Sequence, residues 1–211
     1  MQPKKKKSMI KCNVTVCGIV AKSAAMRTNK EGTAFLAVPV TVAVPAKSGS
    51  GKTIEISVRK DGSEAEVTDY RVGTRIEVTG TLTLKKRGER LYFNLSASTV
   101  NFSPETNEDA LTGEMEFRGK VGKNIEECTD KKGNPYIQFS AHSTEKVDET
   151  FESIWVRFFR FDAVREEWLQ PGCRVQVKGG LNISVYEDRL NLACKVEEMS
   201  EAIKPEYNTN D

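Results

Sequence analysis

Along most of this chain apolar and polar residues alternate one for one. Ile54-Glu55-Ile56-Ser57-Val58-Arg59 is the clearest run, and Leu36, Val38, Val40 and Val42 share one face just before it. A period of two belongs to strands with one buried side. The pattern predicts strands near 9–22, 33–44, 53–60, 74–85 and 90–102, and again near 115–126, 135–146, 151–160, 173–184 and 189–198. One stretch departs from it. Phe161, Val164 and Trp168 fall at i, i+3 and i+7 before Pro171-Gly172, which predicts a short helix turning all three toward the core.

The two sets of five strands are copies of one another. Gly73-Thr-Arg-Ile-Glu-Val-Thr-Gly80-Thr-Leu82 recurs as Gly172-Cys-Arg-Val-Gln-Val-Lys-Gly179-Gly-Leu181, at an offset of 99. Gly18, Val20 and Gly32 return as Gly119, Val121 and Gly133 at an offset of 101. Self-similarity at a fixed period signals a duplicated domain. Five strands with a helix after the third describe the OB-fold, a small Greek-key barrel. The expected fold is therefore all-β: two tandem OB-folds, each with a short helix between its third and fourth strands. The boundaries read as a basic arm over 1–8, a first barrel over 9–102 and a linker over 103–113. A second barrel follows over 114–200 and a tail over 201–211. The linker, Ser103-Pro-Glu-Thr-Asn-Glu-Asp, is rich in turn formers and acid.

Strand parity then sorts surface from core. With Ile54, Ile56 and Val58 inward, their counterparts are Ile154, Val156 and Phe158, which leaves Trp155, Arg157 and Phe159 facing out. On the neighbouring strand the same rule turns Phe35 and Tyr136 outward, and it places Arg59 on the outer face of the first copy. OB-folds take oligonucleotides across strands 2 and 3 and through the loops after strands 1 and 4. Exposed rings there are base-stacking platforms. The loop after strand 4 of the first copy, Lys85-Lys86-Arg87-Gly88-Glu89-Arg90, holds four cations in six residues and is followed by outward Tyr92. Cations at that density suit a phosphate backbone, whose counterions binding would release. An aromatic face with Arg also suits a protein partner. An OB-fold interaction adaptor is thus the competing reading.

Charge sharpens the contrast between the copies. The whole chain carries +2, but residues 1–103 hold 18 Lys and Arg against 8 Asp and Glu, and the remainder holds 14 against 22. The first part is thus net +10 and the second net −8. Such a split suggests that one half faces a polyanion. Lys4–Lys7 could extend that basic surface or serve only as a solubilising arm.

Several chemistries lose support. Five scattered cysteines without a Cys-x-x-Cys pair, and His142 as the single histidine, argue against a metal site and against nucleophilic catalysis. No enzyme, metal or cofactor is expected, and parity places His142 beside the outer face. Ala46-Lys-Ser-Gly-Ser-Gly51-Lys52-Thr53 resembles a relaxed phosphate-binding loop, but a strand follows it where that mechanism needs a helix N-terminus. Its lysines, Lys47 and Lys52, could still touch a strand of nucleic acid. The longest apolar stretch, Phe35 to Ala46, is broken by Pro39, Thr41 and Pro45, so neither a membrane span nor a secretory leader is read, and the chain is expected in the cytoplasm.

The residues from Phe158 to Gly179, with Glu-Glu-Trp-Leu-Gln-Pro-Gly before Arg-Val-Gln-Val-Lys-Gly, resemble the bacterial single-stranded DNA-binding protein family. The first copy's Gly-x-Val at 18–20 and Gly32-Thr-Ala-Phe-Leu-Ala-Val are similar to that family's first two strands. The resemblance implies sequence-independent binding of single-stranded DNA in replication, repair or recombination. It also implies a homodimer that assembles four OB-folds. No motif separates DNA from RNA, because that distinction rests on contacts to the 2′-hydroxyl.

Overall fold

The computed structural model describes residues 10–46, 50–147, 149–161 and 165–202. The basic arm at 1–8, Lys47, Val164 and most of the tail lie outside the described residues.

Eleven strands follow one another. The first copy contributes β1 (Ile10–Val20), β2 (Ala25–Thr28), β3 (Ala34–Val44), β4 (Lys52–Lys60), β5 (Arg75–Arg87) and β6 (Arg90–Asn101). The second contributes β7 (Ala110–Thr129), β8 (Pro135–Val147), β9 (Thr150–Arg160), β10 (Arg174–Tyr186) and β11 (Arg189–Glu201). The first barrel runs β1-β5-β6-β4-β3 and closes where Ile19 of β1 meets Thr41 of β3. The second runs β7-β10-β11-β9-β8 and closes on β7 in the same way. In both, the third strand meets the fifth in parallel and every other pairing is antiparallel. This is the five-stranded OB topology twice over, with β2 as an added hairpin on the edge of β3.

The repeated glycines sit where this closure crowds the backbone. A Cβ on Gly18 would stand 2.4 Å from the Thr41 carbonyl oxygen, and one on Gly119 would stand 2.3 Å from that of His142. Gly80 and Gly179 mark the irregularities in β5–β6 and β10–β11, where a Cβ would lie 2.1 and 2.0 Å from the carbonyls of Ser96 and Lys195. No larger side chain fits these places, which is why the glycines recur in register.

The connection after the third strand differs between copies. In the first it is a 3₁₀ helix, Glu64–Asp69, whose Ser63 and Glu66 form a capping box. In the second, the described residues between β9 and β10 form turns and no helix. Phe161 follows β9 in a turn and is 49% exposed, contrary to the expectation of a helix that turns it inward. Trp168 does pack against the core, and Leu169 beside it is fully buried.

The two barrels share a sheet. β7 begins at Ala110, inside the segment read as linker, and its first residues pair antiparallel with β1 from Ile10↔Phe117 to Cys17↔Ala110. At the centre of this ladder Asn13 faces Glu114, which is its own counterpart at the repeat offset of 101. A pseudo-twofold axis therefore passes between them. Just before β7, Asp109 accepts from Arg75 at 2.6 Å and from the Ala43 amide at 2.7 Å, pinning the connection to the first barrel. The cores merge along the shared ladder into one buried cluster that contains Cys12 and Val14 as well as Met115 and Phe117. Burial pushes the thiols of Cys12 and Cys194 up to about 12, so both pack as small apolar groups.

Candidate nucleic-acid interface

Alternation along β9 buries Ile154, Val156 and Phe158 and turns Trp155 and Arg157 to the outside, with Phe159 half-buried on the same face. Trp155 is 53% exposed. It sits opposite His142 of β8, with ring centroids 4.6 Å apart, and a side chain at Gly122 of β7 would come within 3.1 Å of its indole. The indole thus lies over a glycine with an imidazole at its flank. Two residues further on, Arg157 stands opposite Ser140. Next comes an aromatic cluster in which Tyr136 meets Phe159 at 6.3 Å and Phe161 at 5.4 Å. The ammonium of Lys195, from β11, lies 5.8 Å from the Phe161 ring centroid. Arg157 also lines a cleft of about 550 Å³ with Tyr186, Arg189 and Asn191 of the β10–β11 hairpin.

Burial holds the His142 imidazole below its ordinary pKa, and the nearby Lys120 ammonium pushes it the same way. Its Nδ1 is buried with no hydrogen-bond partner among the described residues.

The equivalent face of the first barrel is chemically different. Where the second copy has Trp155 and His142, the first has Glu55 and Thr41, again opposite one another. Glu55 is held by Lys22 at 2.8 Å. Phe35 is half-buried, with the Arg59 guanidinium 4.8 Å over its ring, so one face of that aromatic is already covered. The basic hairpin divides by parity. Lys85, Arg87 and Arg90 are exposed, and Tyr92, 43% exposed, sits opposite Lys85. Lys86 points the other way, toward Glu152 of β9 at 4.0 Å, and the Gly88 amide donates to the same carboxylate at 3.0 Å.

The structure therefore gathers Tyr136, Trp155, Arg157 and Phe159 on one surface. It keeps Phe35 and Arg59 on the counterpart surface of the other barrel, and sets Lys85 through Tyr92 on a hairpin reaching from the first barrel to the second. Two exposed aromatics that the sequence analysis does not single out join this picture, Phe151 at 73% and Tyr186 at 53%, together with Phe161, which it expects inward. Phe151 shares the parity of Trp155 and was legible on that ground. Phe161 shares it too, but its spacing from Trp168 mimics a helix. The 46–53 segment does lead into a strand, and its Lys52 is held by Asp188 at 2.8 Å. Among the described residues no cluster of three potential metal ligands occurs, and no helix is long and apolar enough to cross a membrane.

No family model matches the chain, and no curated protein matches it in sequence. Solved structures do resemble it. The wild-type single-stranded DNA binding protein from Thermus aquaticus is 18% identical over 92% of this chain and 93% of that one, with a TM-score of 0.46. The small single-stranded DNA-binding protein from Streptomyces coelicolor is 17% identical over 49% of this chain and all of its own, with a TM-score of 0.35. The Plasmodium falciparum protein solved with single-stranded DNA is 16% identical over 46% of this chain, with a TM-score of 0.37. The tandem OB-fold itself rests on the strand order and closure of the two barrels.

Proposed function

We propose that this protein binds single-stranded DNA without sequence preference and covers exposed strands during replication, repair or recombination. The observation that carries this reading is Trp155, more than half exposed on the outer face of an OB barrel and continued by Arg157, Phe159, Tyr136 and Phe161. A monomer gains nothing in stability by leaving such a row in water, whereas bases stack on it in any order. Lys85, Arg87 and Arg90 supply the phosphate contacts, with Tyr92 beside them, and Phe35 and Arg59 offer a lesser surface on the first barrel. The reading includes a homodimer carrying four OB-folds, which sedimentation at twice the chain mass would reveal.

Tryptophan fluorescence tests the core of this reading. Oligo-dT should quench the wild type saturably, more strongly at low salt, while Trp155→Ala loses about 5- to 150-fold in affinity, the equivalent of one stacked base. Failure to bind at low salt, by fluorescence and by anisotropy alike, would sink the single-strand reading. It would leave the aromatic face as an adaptor surface for a protein.

A further inference from the structure

Each barrel extends its last hairpin across the pseudo-twofold axis onto the other barrel, and the two crossings carry opposite charges. The β10–β11 hairpin of the second barrel lies against the first, where the Val185 amide donates to the Pro45 carbonyl at 3.1 Å and Asp188 holds Lys52 at 2.8 Å. The β5–β6 hairpin of the first barrel lies against the second. There Ile10 and Leu84 meet Ser143, Val147 and Ile154 around a void of only about 10 Å³, and Glu152 takes Lys86 and the Gly88 amide. Lys52 and Glu152 are counterparts in the repeat. So are Lys85-Lys86-Arg87 and Ser184-Val185-Tyr186.

The crossings give the two corners of the molecule opposite character. At one corner the aromatic strand β9 receives a hairpin whose outward side chains are Lys85, Arg87 and Arg90. Glu152, the latch, is three residues from Trp155 on the same strand, roughly 10 Å along it, and it shares the inward parity of Ile154, so the hairpin docks on the side of β9 opposite the indole. At the other corner β4, bearing Glu55 in place of Trp155, receives a hairpin tipped by Glu187 and Asp188. The charge difference between the halves of the sequence thus does more than separate a basic barrel from an acidic one. It brings the first half's cationic hairpin to the strand that carries the second half's aromatics.

Resting on the single-strand reading above, we propose that the principal binding site is composite. The aromatic face comes from the second barrel, and the phosphate-binding hairpin is donated by the first and latched by Glu152. A strand stacked on Trp155 turns past exposed Phe151 near the start of β9 to reach Lys85, Arg87 and Arg90, and the reciprocal corner is no equal second site. Glu152 is a positioning residue, and its carboxylate acts through the hairpin it holds.

The test uses the full chain and an oligo-dT of about eight nucleotides, within the roughly 4–16 that one OB-fold covers. Quenching of Trp155 is the readout, with anisotropy of a labelled oligo-dT measured alongside it and used alone for Trp155→Ala. The triple variant Lys85→Ala/Arg87→Ala/Arg90→Ala should weaken binding and reduce the salt slope by about 2, at ~0.7 for each lost phosphate contact. Glu152→Ala should also weaken it, about 2- to 10-fold, because the hairpin must then be ordered on binding. Simple charge repulsion predicts the opposite sign, since that variant removes an acid from the site. Glu152→Gln, which keeps an acceptor for the Gly88 amide, should lie between, and thermal unfolding reports whether each variant is folded. If wild type is quenched and Trp155→Ala is impaired, yet the hairpin and latch variants bind like wild type or more tightly, the composite site is overturned and the stacking reading stands. If wild type neither binds nor is quenched, both fall.

Discussion

The two barrels share a skeleton and differ in almost everything that touches solvent. Closure glycines 18 and 119, bulge glycines 80 and 179, and the inward residues of every strand correspond pair by pair. Outward, Trp155 stands against Glu55, His142 against Thr41, Arg157 against Ser57, and Ser184-Val185-Tyr186 against Lys85-Lys86-Arg87. A duplicated fold is held by the backbone approaches that its closure forces, and those leave the outer face free to change. Here the two outer faces have diverged, with exposed aromatics on one copy and cations on the other.

The comparison extends into the core, where the largest effects are expected. The second barrel packs Phe117, Phe139 and Phe158 together, with Phe158 4.9 Å from Phe117 and 5.1 Å from Phe139. Their counterparts in the first barrel are Val16, Val38 and Val58, all buried. Phe158→Ala should cost about 3–5 kcal/mol through the cavity it leaves. Val58→Ala, losing two methyl groups, should cost about 1–2 kcal/mol. Denaturant unfolding of the two variants measures the difference. Equal losses would mean that the second barrel relaxes around its cavity and that its aromatic core is not the stiffer one.

An intermediate effect would come from grafting the missing platform. Glu55→Trp places an indole opposite Thr41, as Trp155 lies opposite His142, at the cost of the exposed Lys22 ion pair, which contributes little. In a Trp155→Ala background the graft should recover part of one stacked base, less than about 1–3 kcal/mol, for an oligo-dT long enough to span both barrels. Recovery should be incomplete because Glu187 and Asp188 flank that corner. Full recovery would show that the two faces are interchangeable and that the hairpins do not distinguish them.

Much of this was legible from alternation alone. All ten strands, the buried faces and the outward setting of Trp155, Arg157 and Phe159 follow from a period of two calibrated on Ile54-Ile56-Val58. What was not legible depends on contacts between distant segments. The β1–β7 ladder joins residues about 100 apart, and no local pattern reports an inter-barrel register. The seat of Lys86 on Glu152 is invisible for the same reason, so four cations in a loop read as equivalent when one is turned inward. Phe161 was misplaced for a local reason. A residue just past the end of a strand and a residue opening a helix can share one spacing over a few positions, and the ring contacts that hold Phe161 outward come from Tyr136 on another strand.

The smallest effect expected is a proton. His142 faces Trp155 across the β8–β9 ladder and Lys120 across the β7–β8 ladder, and it has no counterpart in the first barrel, where Thr41 takes its place. Burial first, and Lys120 second, make the imidazolium less favourable in the folded protein than in the unfolded chain, whose pKa is about 6.5. The unfolded state therefore binds the extra proton more readily. The contribution of this group to stability is present above about 6.5 and is lost as pH falls from there toward the lower folded value. Stacked DNA works against that depression, because phosphates near the imidazole favour its charged form. Affinity for oligo-dT should consequently rise modestly as pH drops below about 6.5, while stability declines slightly over the same range. His142→Gln should flatten both trends; a pH titration of Trp155 quenching reads the first, and denaturant unfolding over the same pH range reads the second. If the pH dependence persists unchanged in that variant, the proton resides elsewhere and the imidazole serves only as a wall of the stacking site.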